Sequence, residues 1–161
     1  MARLSANRPD TALDEPACRR RALNALARRE HSRAELERKL GSRGFASEVI
    51  AVTLDDLERT GLLDAGRFCE SFVRTRIGKG QGPARIEREL LERGIDAESA
   101  GHALQDSQDW VALAQAVRRR RFGDEIPEDY KERARQSRFL QYRGFSSEQI
   151  RAAMRRDPDF E

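Results

Sequence analysis

Gly44, Gly94 and Gly144 stand fifty residues apart, and the same neighbours frame each of them. An arginine precedes (Arg43, Arg93, Arg143) and a large apolar residue follows (Phe45, Ile95, Phe145). Leu40, Leu90 and Leu140 lie four positions before the glycines, Glu48, Glu98 and Glu148 four after, and Leu54, Leu104 and Met154 ten after. A spacing kept three times constrains the architecture before any residue is read alone. One small unit is used three times.

The unit reads as helical. Leu36 with Leu40, and Ile86 with Leu90, have the i,i+4 spacing that places both side chains on one helix face. The glycine marks a helix end in the left-handed conformation, and the apolar residue after it can fold back on the last turn. A second helix should follow at once, with Ser47 before Glu48, Asp96 before Glu98, and Ser146 with Gln149 as its starts. A further helix precedes each pair, near 17–29, near 65–79 behind the cap Asp64, and near 108–121. Ser32 with Glu35 forms a capping box for the middle helix of the first repeat. Gly82 and Pro83 start the second middle helix, and the third starts near Pro127. The expected fold is all-α: three tandem three-helix repeats, about nine helices, at 17–60, 61–107 and 108–161.

Composition sets limits on this picture. Charged residues make up 37% and aromatic residues 6%, so no repeat alone buries a large core, and such units stabilise one another by stacking. No apolar run approaches the roughly 20 residues of a membrane span. Residues 1–16 lack an apolar signal core and read as a disordered tail. Cys18 and Cys69 are two isolated cysteines, which suits a reducing, cytoplasmic setting.

The basic residues are 28 Arg against 3 Lys, although the formal net charge is only +3. Arginine suits bidentate contact with carboxylate or phosphate. The run Arg118, Arg119, Arg120, Arg121 covers every side of a helical turn, so its members cannot all pack on the core. Catalytic chemistry finds little support. His31 and His102 lie in different repeats and lack a second ligand at metal spacing. Carboxylates sit beside arginines at helical spacing, as in Glu35 with Arg38 and Lys39, or Glu89 with Arg93. Gly78, Gly80 and Gly82 around Lys79 follow a helix and lack the Gly-Lys-Ser/Thr ending of a nucleotide loop, so they read as a flexible connection. No cofactor, metal or enzyme activity is expected.

One stretch is more specific. It holds Leu63-Asp64 before Arg67-Phe68, Phe72-Val73-Arg74 with Arg76, and Lys79-Gly80 with Gly82-Pro83. With residues 28–45 and the threefold repeat, it resembles the RecX family of bacterial RecA regulators from about Arg20 to Met154. Two positions depart from the family pattern: Ala65 replaces a usual second acidic residue, and Leu63 stands where an aromatic is common. The resemblance implies three-helix units in an elongated, curved arrangement, with RecA and the RecA–single-stranded-DNA filament as partners. Such a protein lies in the filament groove and limits filament growth, strand exchange, ATP hydrolysis and coprotease activity. Arg67, Arg74, Arg76, Lys79, Arg85 and Arg88 are expected to line the partner surface, extended by Arg118, Arg119, Arg120 and Arg121. A monomer is expected. Two other classes stay open: a direct DNA binder, with weak salt-sensitive binding as a secondary activity, and a generic helical-repeat scaffold.

Overall fold

All three repeat glycines adopt the left-handed conformation, with φ of 91° at Gly44, 81° at Gly94 and 99° at Gly144. A computed structural model describes residues 12–105 and 107–155 of the chain. Among these residues there are nine helices and no strand: α1 (Glu15–Arg28), α2 (Arg33–Ser42), α3 (Ser47–Arg59), α4 (Ala65–Gly78), α5 (Pro83–Glu92), α6 (Ala97–Leu104), α7 (Trp110–Phe122), α8 (Tyr130–Arg143) and α9 (Ser147–Ala153). The turns at Gly44 and Gly144 are Schellman ends. Gly44 N–H donates to Gly41 O at 3.0 Å and Phe45 N–H to Leu40 O at 3.4 Å. Gly144 and Phe145 repeat this on Gln141 and Leu140, at 3.0 and 3.2 Å.

The chain divides into two compact units, Met1–Phe68 with Arg93–Ile95, and Cys69–Glu92 with Asp96–Glu161. In the first, α1, α2 and α3 pack on one another. Their core gathers Cys18, Ala22, Leu36, Leu40, Phe45, Ile50, Leu54, Leu57 and Leu63. Leu36, Leu40 and Leu54, singled out by the repeat, are thus buried together with Ile50. In the second unit α5 packs on α6, and α7, α8 and α9 surround Ala114, Leu140, Phe145, Ile150, Ala153 and Met154. The counterparts Ile86, Leu90, Ala100 and Leu104 are likewise buried.

The corners at Gly94 and Gly144 also do something that their sequence does not announce. Inside the first unit, Arg93–Gly94–Ile95 sits on the N-terminus of α2. Ser32 Oγ donates to Arg93 O at 2.7 Å, Arg93 Nε lies 3.3 Å from Glu35 Oε1, and a β-carbon on Gly94 would come within 2.5 Å of Ala34 Cβ. Inside the second unit, Arg143–Gly144–Phe145 sits on the N-terminus of α5 in the same way. Gly82 N–H donates to Arg143 O at 2.7 Å and Ala84 N–H to Gly144 O at 3.0 Å. The first amides of a helix lack intrahelical partners, and here two carbonyls of the corner accept from them. At Gly94 and Gly144 the repeated glycine therefore ends one helix and admits the start of another, with bonded residues 61 positions apart along the chain.

Several starts differ from expectation. Ala46, with no side-chain cap, holds the N-cap of α3, and Ser47 is the first helical residue. The cap slot falls two residues after the repeat glycine, where Asp96 and Ser146 do cap α6 and α9. The third middle helix begins at Tyr130, because Asp129 accepts from Glu132 N–H, while Pro127 stays in the preceding loop. Helix α1 starts at Glu15 behind the cap Asp14. The remainder of the expected N-terminal tail, residues 1–11, lies outside the described residues.

His31 supplies a test of the first joint. Its side chain is buried beside Ser32, Nδ1 lies 3.0 Å from Arg29 O, and buried Nε2 has no hydrogen-bond partner. Burial pushes its pKa below the usual 6.5. Above that value both folded and unfolded chains carry neutral imidazole, so the group adds no pH dependence. Below it the unfolded chain binds the proton first, so stability falls with pH until the folded value is passed. His31→Gln, which places there the residue that the second repeat carries at Gln81, is expected to flatten this acid limb in urea titrations.

Candidate functional site

The expected arginine surface resolves into braces and exposed groups. Arg67, in the first unit, is a brace: Nε lies 3.0 Å from Glu30 Oε1, and Nη2 donates to Gly61 O at 2.7 Å. Asp64, 3.7 Å away, completes its surroundings. In the second unit, Arg76 Nε lies 2.8 Å from Glu89 Oε2, with its guanidinium 4.5 Å from the Phe72 ring centre. Arg85 shares Glu89, at 3.4 Å. Glu35 holds Arg29 and Arg93, which packing brings to it, while Glu89 holds Arg76 from α4 and Arg85 at the i,i+4 spacing of its own helix.

Arg118 must be removed from the surface. It is 1% exposed, and its guanidinium donates to Asp124 O at 2.9 Å, Glu125 O at 3.0 Å and Gln136 Oε1 at 3.3 Å. The turn of α7 points this one member of the run inward, where it closes the loop after Gly123. Burial lowers its pKa. Arg119, Arg120 and Arg121 stay exposed, as do Arg74, Lys79 and Arg88 in the same unit. Arg88 keeps only a 4.0 Å approach to Glu92. These six cations form the solvent-facing part of the expected set in the second unit.

The glycine run is firmly built. Lys79 N–H donates to Thr75 O and Arg76 O, Gly80 N–H to Ile77 O, Gln81 N–H to Arg76 O and Gly82 N–H to Arg143 O. Arg143 Nη1 donates to Lys79 O at 2.9 Å. Every amide from Lys79 to Gly82 thus has a carbonyl partner, which leaves none to cradle a phosphate. The described residues hold no group of three or more His, Cys, Asp or Glu placed to bind a metal. No helix among them is long and apolar enough to cross a membrane.

Family models for the first, second and third three-helix domains of RecX match residues 18–57, 66–104 and 107–154, in that order. The chain belongs to the RecX family. Regulatory protein RecX of Halorhodospira halophila is 50% identical over 138 residues, covering 85% of this chain and 86% of the relative. Regulatory protein RecX of Pseudomonas entomophila is 49% identical over 140 residues, covering 86% and 90%. The crystal structure of RecX from Lactobacillus salivarius is similar with a TM-score of 0.75 and 26% identity, over 88% of this chain and 94% of that one.

Within this RecX chain, sequence reasoning missed the working parts of α8. Arg133 donates to Pro127 O at 3.1 Å and Met154 O at 3.2 Å, tying the loop before α8 to the end of α9. Arg143 spans the joint, and Tyr142 beside it is 80% exposed. The position of Arg143 before a repeat glycine was visible; its contact with Lys79, which depends on packing, was not.

Proposed function

We propose that this chain is a non-enzymatic inhibitor of the RecA recombinase. It binds the RecA–single-stranded-DNA filament in its groove and limits filament growth, strand exchange, ATP hydrolysis and coprotease activity. It acts in the cytoplasm as a monomer, with repeats at 17–60, 61–107 and 108–161. The ordered match of all three RecX domains along the chain carries this reading. Groups that could serve chemistry are committed elsewhere: the amides of the glycine run to carbonyls, and the Cys18 and Cys69 thiols to buried sites that raise their pKa values.

The partner surface under this reading is the exposed basic set of the second unit: Arg74, Lys79, Arg88, Arg119, Arg120 and Arg121. Arg76 and Arg85 support it from their ion pairs with Glu89. Added to RecA on single-stranded DNA, the protein should slow ATP hydrolysis, and it should hydrolyse none without RecA. Arg74→Glu combined with Arg120→Glu should weaken that inhibition several-fold at low salt, with a smaller loss at high salt. Its melting temperature should match the parent, since both side chains are exposed. Full inhibition by the double variant would remove this surface from the proposal.

A further inference from the structure

Both tyrosines of the chain lie on α8 and stand largely in solvent, Tyr130 at 83% and Tyr142 at 80% exposure. Tyr142 differs in its company. The Arg85 guanidinium is 5.8 Å from its ring centre. Arg138, one turn earlier on α8, is exposed, and Arg143 follows next in the chain. Arg143 packs 5.1 Å from the Phe139 ring, and Phe139 meets Phe122 edge to face at 5.2 Å. Phe139 and Phe122 are half-buried, and Phe139 packs on the core, so they serve the fold. Tyr142 stands outside that packing, its exposed ring met by the Arg85 guanidinium.

We propose that Tyr142 is a stacking platform for a base of single-stranded DNA, with Arg85 polarising the ring and Arg138, Lys79 and Arg88 facing the phosphates. A tyrosine ring accepts any base on its open face, while exposed cations track the backbone. Of the acidic groups beside this patch, Glu89 is held by Arg76 and Arg85 and Glu92 lies 4.0 Å from Arg88, so both charges are offset where a phosphate would approach. A protein surface would use the same cations and ring, since tyrosine and arginine also anchor protein interfaces, and the abasic comparison separates the two. The choice of DNA as the strand rests on the filament reading above; the stacking geometry stands apart from it.

The test uses the full chain with a labelled oligothymidylate and an abasic strand of equal length, which has the same phosphates without bases. Fluorescence anisotropy should show the oligothymidylate bound at least about fivefold more tightly than the abasic strand. Tyr142→Phe should keep that preference and Tyr142→Ala should lose it, with unchanged melting temperatures. Equal affinity of the parent for both strands would overturn the proposal, as would a preference that survives in Tyr142→Ala. Equal strand affinities, with Tyr142→Ala weakening only RecA inhibition, would assign the ring to a protein contact and also overturn it. A parent that prefers bases yet leaves RecA ATPase untouched would support the stacking site while refuting the filament reading.

Discussion

Gly82→Ala is expected to unfold the second unit more readily than any exposed substitution, at a cost of about 3 kcal/mol. Its β-carbon would come within 2.5 Å of Gly144 O and of Phe145 N, both backbone atoms that cannot step aside as a side chain could. The corner would have to lift, breaking the bonds of Gly82 N–H to Arg143 O at 2.7 Å and Ala84 N–H to Gly144 O at 3.0 Å. The φ of Gly82 is not in the left-handed region, so the loss comes from the close approach and not from backbone strain. Gly101→Ala is the control: nothing lies within 4 Å of its β-position in the middle of α6, and alanine there should stabilise by up to about 1 kcal/mol. Urea unfolding of both variants separates the two effects. A Gly82→Ala chain as stable as the parent would show that the corner does not hold α5.

The internal repeat explains why so much of the fold was legible. Leu36, Leu40, Ile50 and Leu54 could be assigned to one core because their spacing recurs, and the capping box of Ser32 with Glu35 followed from local chemistry. The joints were not legible. Nothing local says that Gly82 must clear Gly144, or that Arg93 will reach Glu35. Contacts over such separations are set by packing, which periodicity does not encode. The same limit applies to the candidate surface. Exposure of Arg74 followed from the apolar face that Phe68 and Phe72 take up beside it, whereas the Arg76 ion pair with Glu89 depends on where α5 lies beside α4.

The arginine run of α7 should split sharply under mutation. Arg118→Ala is expected to destabilise the second unit by about 3–5 kcal/mol, while Arg119→Ala and Arg120→Ala leave its melting unchanged. Arg118 is the largest fully buried side chain, and its guanidinium serves Asp124 O, Glu125 O and Gln136 Oε1 at once. Removing it leaves those acceptors facing a cavity, and Gln136 keeps only its own donation to Glu132 Oε1 at 3.1 Å. The sequence did hold a warning. Gln136 stands fifty residues after Ile86 and one hundred after Leu36, both buried and apolar, so a polar side chain at that place needs a buried partner. If the pair exists for that reason, Gln136→Leu should restore part of the stability of Arg118→Met, since replacing both polar partners by apolar ones avoids the orphaned group. A double variant no more stable than Arg118→Met alone would show that the loop carbonyls, and not Gln136, are what Arg118 serves.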